Sequence, residues 1–282
     1  MKLKIIGAVL VTAGLGGLIS ACVSGADTLP PESKSGFAYA TPETKAMQED
    51  NFNNPAMLWV GIGEDEWSKK EGSAGKSCAD CHGNLDSSST IGSGMYEINP
   101  VINSMRGAAL KYPMFDAKTK KPLVMEARIN RCRTDNMKAK AWKWESDQMM
   151  GMTTLVKMQS RGMKMRSTAD FADDPLHDAW KKGKEFFYQR RGQMDMSCSN
   201  CHEDYPGTKI RANLLTQAQI NGFPTYRLKW QKVGTIHRRY SGCNNNIRAQ
   251  NYKRGSDEYT NLEVYMTWRS RGLPIETPSI RN

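Results

Sequence analysis

Apolar positions recur in a helical rhythm at two places that lie 110 residues apart: Met152, Leu155 and Val156, then Leu262, Tyr265 and Met266. The i, i+3, i+4 spacing predicts one buried face on each of two helices, with Gly162 and Gly272 as their C-terminal caps. Upstream, Asn54-Pro55 and Asp174-Pro175 are 120 apart, as are Gly63 and Gly183, and Gly72 and Gly192. Asn or Asp before Pro reads as a helix start, a cap followed by Pro at the first helical position. Tyr112-Pro113-Met114-Phe115 matches Phe223-Pro224-Thr225-Tyr226 at an offset of 111. The chain is therefore a duplication. Each half reads as an opening helix, a long loop and a closing helix, joined by a polar linker near Arg166–Asp174. Residues 23–53, rich in Pro, Ser, Thr, Gly and Asn, read as an extended arm.

At the start, Lys2 and Lys4 precede a mainly apolar run from Ile5 to Ile19 and then small residues, the pattern of an export signal. Ile19-Ser20-Ala21-Cys22 is similar to a bacterial lipobox, which would make Cys22 a lipidated first residue. Ordinary cleavage near Ala21 or Ala26 is the alternative. No later stretch is apolar enough to span a bilayer. The expected organisation is a signal at 1–21, an arm at 22–54, and domains at 55–168 and 174–282.

The chemistry sits in the same two-fold plan. Cys78-Ala-Asp-Cys81-His82 and Cys198-Ser-Asn-Cys201-His202 are each a Cys-x-x-Cys-His, the attachment signature of haem c, and they too are 120 apart. On a helical turn the two thiols share a face and reach the haem vinyl groups, while the His lies on that face and can ligate iron. Zinc fits poorly, because the pairs are far apart in sequence. The fold class expected is mainly α: two tandem cytochrome c-like domains related by internal duplication, carrying two covalently bound haem c groups and exported to the periplasm.

Each iron needs an opposite ligand or an open position. Of the seven Cys, Cys132 and Cys243 are left over, and they hold equivalent places at an offset of 111. They serve either as one ligand per domain or as a disulfide between domains. His237 has Glu126 as its counterpart and His177 has Met57, so neither position is His in both halves. With 17 Met in the chain, a Met ligand stays open for at least one haem. A thiolate ligand lowers the potential relative to Met.

The net charge is +11, or +9 once Lys2 and Lys4 are discounted. A basic surface draws in anions. Nucleic acid is not the expected partner of an exported haem protein. Arg238, Arg239 and Arg248 flank Cys243, and Lys229 and Lys232 precede it. Positive neighbours favour a thiolate, and the Arg fork suits an oxyanion. Arg128 stands four residues before Cys132, just as Arg239 stands before Cys243.

Two haem motifs, each with a downstream Cys, together with Arg239-Tyr-Ser-Gly-Cys243, resemble the SoxA family, the dihaem subunits of SoxAX cytochromes of bacterial sulfur oxidation. The resemblance runs over about residues 55–282. It implies an L-cysteine S-thiosulfotransferase that oxidatively couples thiosulfate to a cysteine of the carrier SoxYZ, with electrons passing to SoxX and a further cytochrome. It implies Cys243 as the distal ligand and the reactive residue, held as a persulfide, and Arg239 as the substrate-binding residue. His202 would be proximal to that haem, and His82 and Cys132 would ligate the first. Some relatives lack the first motif; this chain keeps it. A dihaem electron carrier without catalysis is a competing reading. So is a thiosulfate dehydrogenase that forms tetrathionate; a peroxidase is disfavoured by a Cys in both halves.

Overall fold

The computed structural model describes residues 33–282 except Ala212. The expected signal and Cys22 lie outside the described residues. A 3-10 turn at Gly36–Tyr39 leads into α1 (Pro42–Glu49). Over these residues the chain is helical where the sequence reads as part of an extended arm. Thr41 caps the helix by accepting from the Thr44 amide, and Pro42 sits at its start. Composition alone hides that signal. Buried Gln48 then accepts from the Ile280 amide at 2.9 Å and from Arg281 at 2.6 Å, so α1 is tied to the far end of the chain.

The first repeat runs α2 (Met57–Ser68), α3 (Ala79–His82), a β1–β2 hairpin (Met114–Asp116, Lys121–Leu123), α4 (Met125–Arg131) and α5 (Asp147–Met158). The second runs α6 (His177–Tyr188), α7 (Cys198–His202), a short β3–β4 pair (Lys209–Ile210, Asn213–Leu214) and a β5–β6 hairpin (Thr225–Arg227, Lys232–Gly234). It continues with α8 (Ile236–Asn246) and α9 (Asp257–Arg269), and β7 (Ser279–Arg281) follows. β7 pairs in parallel with β5.

In each repeat the opening helix packs on the closing helix: α2 on α5, and α6 on α9. Glycine lets them approach. A Cβ on Gly63 would lie 2.6 Å from the Gly151 carbonyl oxygen, and one on Gly183 only 2.1 Å from that of Asn261. The two predicted stripes are all in the core: Met152, Leu155 and Val156 in one cluster, Leu262, Tyr265 and Met266 in the other.

The ends of these helices differ from expectation by a turn. Asn54 accepts from the Ala56 amide at 2.9 Å and Asp174 from the Leu176 amide at 2.7 Å, so each closes a short Pro turn, and the helix proper starts two residues later. At the other end α5 stops at Met158 and α9 at Arg269; Gly162 and Gly272, both at positive φ, end the additional turn that follows.

The changing offsets have physical causes. The loop after the first haem motif is nine residues longer than its counterpart, which turns 120 into 111. The shift from 111 to 110 falls inside a helix. After α4 the chain forms a π-helical turn, Cys132–Met137, whereas α8 stays α-helical throughout. Such a turn absorbs one extra residue. Beyond it, Lys138 and Arg248 hold matching left-handed conformations, with φ of 56° and 55°.

The halves meet through reciprocal contacts. Lys121 pairs with Asp257 at 2.7 Å, and its counterpart Lys232 pairs with Asp147 at 3.2 Å. The segment after α5 also pairs with the tail after α9: Met165 N donates to Leu273 O, and Ile275 N donates to Met163 O, both at 2.9 Å.

Candidate functional site

Both Cys-x-x-Cys-His sequences form a helical turn, as predicted, and each is started by a serine. Ser77 Oγ accepts from the Asp80 amide while Asp80 accepts from the Ser77 amide, at 3.1 and 2.8 Å. Ser197 and Asn200 make the same reciprocal box around α7. Sequence reading passed over these caps, although Ser three residues before a short polar acceptor is a legible helix-start signal. His202 Nδ1 lies 2.6 Å from the Thr216 carbonyl oxygen. A carbonyl only accepts, so Nδ1 carries the proton and Nε2 keeps its lone pair. In the first turn, Ser104 Oγ donates to the His82 carbonyl, and Trp67 packs 6.0 Å from the His82 ring.

The hairpin in each repeat delivers the helix with the remaining Cys. Thr235 caps α8 by accepting from the Arg238 amide. Cys243 lies on α8, in hydrogen-bonding contact with the His202 ring and within the field of Cys198 and Cys201. Cys132 lies at the end of α4 within the field of Cys78. All six described cysteines are free, and Cys132 and Cys243 belong to different groups, as expected for one per domain. The two other His are engaged elsewhere. His237 Nε2 is 3.0 Å from Glu263, and His177 Nδ1 is 3.1 Å from the Ala169 carbonyl oxygen.

The thiols fall into two electrostatic kinds. Burial pushes Cys78 up to about 11 and Cys198 up to about 12, and it raises Cys201 as well. Cys243 goes the other way. Burial acts to raise it, but the Arg239 guanidinium, the His202 contact and Arg227 together pull it down to about 6. Arg239, singled out in the sequence among the cations that flank Cys243, lies within the field of that thiol. Arg227 was missed. It sits on a strand 16 residues before the Cys, and only folding brings it to the site. Arg248 instead approaches Gln193. In the first repeat Arg128 lies by His82: burial lowers the His82 pKa, and Arg128 lowers it further.

The donor set fits haem c. Each motif offers two thiols on one turn and an imidazole on the same face. In the second repeat the lone pair at Nε2 and a thiol inclined to ionise are the form in which each ligates iron. Cys78, Cys81, His82 and Cys132 would hold one haem, and Cys198, Cys201, His202 and Cys243 the other. Among the described residues no group of three or more His, Cys, Asp or Glu is arranged to hold a bare metal ion.

Paired helices, each closing on a Cys-x-x-Cys-His turn, define a c-type cytochrome with covalently attached haem. A family model described as SoxA/TsdA, cytochrome c domain, matches residues 97–165 and 182–275. The L-cysteine S-thiosulfotransferase subunit SoxA of Pseudaminobacter salicylatoxidans is 42% identical over 89% of this chain and 81% of its own. The SoxA subunit of Paracoccus pantotrophus is 40% identical over 88% of this chain and 79% of its own. The crystal structure of SoxXA from P. pantotrophus superposes with a TM-score of 0.78, at 40% identity, over 89% of this chain and 87% of that one. The chain belongs to the SoxA family.

Proposed function

We propose that the haem-loaded protein is an L-cysteine S-thiosulfotransferase subunit that couples thiosulfate to a cysteine of a SoxYZ-like carrier. The observation that carries this reading is the placement of Cys243 on α8 beside the His202 ring of the second motif, with Arg239 four residues before it on the same helix. The similarity to SoxA proteins named for this activity supports it.

In the reaction the outer sulfur of thiosulfate bonds to the carrier sulfur. The carrier S–H bond breaks, one proton goes to solvent and two electrons leave. Arg239 binds the sulfonate oxygens through its fork of donors. Cys243 is the reactive sulfur beside the bound thiosulfate, and a persulfide on it is a reversible thiol cap. His202 keeps Nε2 turned away from Thr216. When bound, haem c supplies the acceptor for the electrons and their way out to a SoxX-like cytochrome subunit.

Two haems, the SoxX-like partner, the SoxYZ-like carrier and thiosulfate all belong to this proposal, as does a periplasmic location. Cys22 would carry any lipid anchor.

The test is a transfer assay with thiosulfate and a carrier cysteine, comparing wild type with Cys243→Ala. Loss of transfer is expected, and retained transfer overturns the assignment. In unreduced protein the tryptic peptide Tyr240–Arg248 should be one sulfur heavier than its sequence mass. Because the matching family model spans more than SoxA, a second reading is carrier-free coupling of two thiosulfates. Tetrathionate released without a carrier supports that reading.

A further inference from the structure

The contacts between the repeats mark a pseudo-two-fold axis: Lys121 with Asp257 mirrors Lys232 with Asp147, and Lys164 bridges to its own counterpart, Pro274. A cavity of about 20 Å³ lies on this axis. Tyr112 and its counterpart Phe223 both line it, as do Lys157 and its counterpart Thr267. Only a space on the axis meets the same position from both halves. It therefore stands in equal relation to the two Cys-x-x-Cys-His turns.

A carboxyl group faces this space. Glu263 lines the cavity and is 4% exposed. His237 Nε2 is 3.0 Å from Glu263 Oε2, but the two are not aligned for a hydrogen bond. The Gly255 amide donates to His237 Nδ1 at 3.0 Å, so that nitrogen keeps its lone pair and the ring is neutral, with its proton on Nε2. Trp144 of the first repeat stacks on the ring at 5.0 Å and fixes it. Across the axis, Glu126 takes the place of His237 and is buried as well. The pair is faced by Lys157 on α5 and by His237 and Tyr240 on α8. Among the described residues, His237 is the one nitrogen partner within ion-pair distance of Glu263, and Glu126 has none. Two buried carboxylates with no cation in contact are costly when both are charged. Burial and Glu263 both raise the Glu126 carboxyl, as this arrangement requires.

Asn221 lines the same cavity, and its Oδ1, like Glu263 Oε2, is buried without a hydrogen bond. The volume suits one water that bonds both atoms. A second cavity, of about 200 Å³, shares Tyr112 and Thr267 with the first and reaches exposed Arg166 and Thr168. It offers protons a way in from solvent.

We propose that the Glu263–Glu126 carboxyl pair is a proton site shared by the two repeats, which takes up one proton from solvent as electrons arrive at the haems. An added electron makes a nearby buried carboxylate less stable, so the pair gains a proton, and oxidation returns that proton to solvent. During turnover the electrons come from the coupling of thiosulfate to the carrier thiol; in the test they come from an electrode. The inference rests on the proposed function for its two haems, but its readout is a potential and not sulfur transfer.

Potentiometric titration of the haem-loaded protein at a series of pH values is the test. In wild type both midpoints should fall as pH rises. Their sum should fall by up to about 59 mV for each tenfold drop in proton concentration, the value of a tenfold change for one electron. Glu263→Gln should weaken this dependence at both midpoints, and Glu263→Asp, which keeps a carboxyl, should retain it. Lys157→Met removes a cation that favours the carboxylates and should move the sloping region to higher pH. A slope confined to one midpoint overturns the shared site. So does a full slope in Glu263→Gln, or an unmoved one in Lys157→Met. Two haems with midpoints independent of pH overturn this inference and leave the proposed function standing; sulfur transfer retained in Cys243→Ala does the reverse.

Discussion

The two repeats share a frame and differ in how they treat charge. Around the first attachment thiol the charge is kept although the residues change. In the first repeat Arg133 lies 3.7 Å over Trp142, pairs with Glu71 and opposes the burial that raises Cys78. In the second repeat the counterpart of Arg133 is Asn244, and the counterpart of Glu71 is Arg191. Arg191 lies 4.9 Å over Tyr252, the counterpart of Trp142, and opposes the burial that raises Cys198. The cation has moved from one chain segment to another and ended in the same place. Around the remaining Cys the charge is not kept: Asp116, the counterpart of Arg227, pairs with Arg131 beside Cys132, while Arg227 and Arg239 both act on Cys243. A cation beside the first motif thiol is thus supplied in both repeats, by different residues. The cationic field belongs to one of them.

The sharpest way to break this comparison is a pair of matched substitutions. Cys243→Ala should lower sulfur transfer by about a thousandfold or more, as loss of a reactive residue does, while Cys132→Ala should leave it within a few-fold. Equal losses would make the repeats equivalent and the asymmetry of charge irrelevant. Next come the helix crossings. Gly183→Ala forces a methyl group onto the Asn261 carbonyl and should cost about 1–3 kcal/mol. Gly63→Ala should cost less, since its nearest atom is farther away. Thermal melting of the two haem-loaded variants checks the order.

A third prediction concerns Glu126, the counterpart of His237. Burial raises its carboxyl pKa, Glu263 adds to the rise, and Lys157 and His237 oppose it. The folded chain therefore holds this proton at a pH where the unfolded chain has lost it. Its contribution to stability is full below the ordinary carboxylate value of about 4.3 and falls as pH rises from there toward the raised value. Glu126→Gln should flatten that part of the stability profile, measured by denaturant midpoints from pH 4 upward; an unaltered slope would remove Glu126 from the linkage. The smallest effects should come from Lys121→Ala and Lys232→Ala. These reciprocal pairs are exposed, and each should contribute about 0–1 kcal/mol. A large and unequal loss would show that the two halves do not lean on each other symmetrically.

Much of this was legible in the sequence because it is local or periodic. The Cys-x-x-Cys-His turns, the leftover Cys pair and the buried stripes on α5 and α9 depend on spacing within a few residues. The duplication made single positions readable by comparison, which is how Cys132 and Cys243 separated from the attachment thiols. Arg227 was not legible, because it lies on β5, 16 residues before Cys243, beyond any local spacing pattern. The arm was misread for a different reason. Its composition suggests a loop, but Thr41-Pro42 starts a helix, and Gln48 then finds partners more than two hundred residues away. Neither β7 nor its parallel pairing with β5 has a local signature; β7 is three residues long, and its register is set by a partner strand far off in sequence.

The π-helical turn after Cys132 bears on how the two repeats of this chain should be aligned. A gap placed inside a helix is usually read as a mistake in alignment and moved to the nearest loop. Here that repair would be wrong. The extra residue is absorbed within Cys132–Met137 itself, so the ligand candidate upstream and the left-handed Lys138 downstream both keep their counterparts. Shifting the gap to either side would put Cys132 or Lys138 out of register by one position.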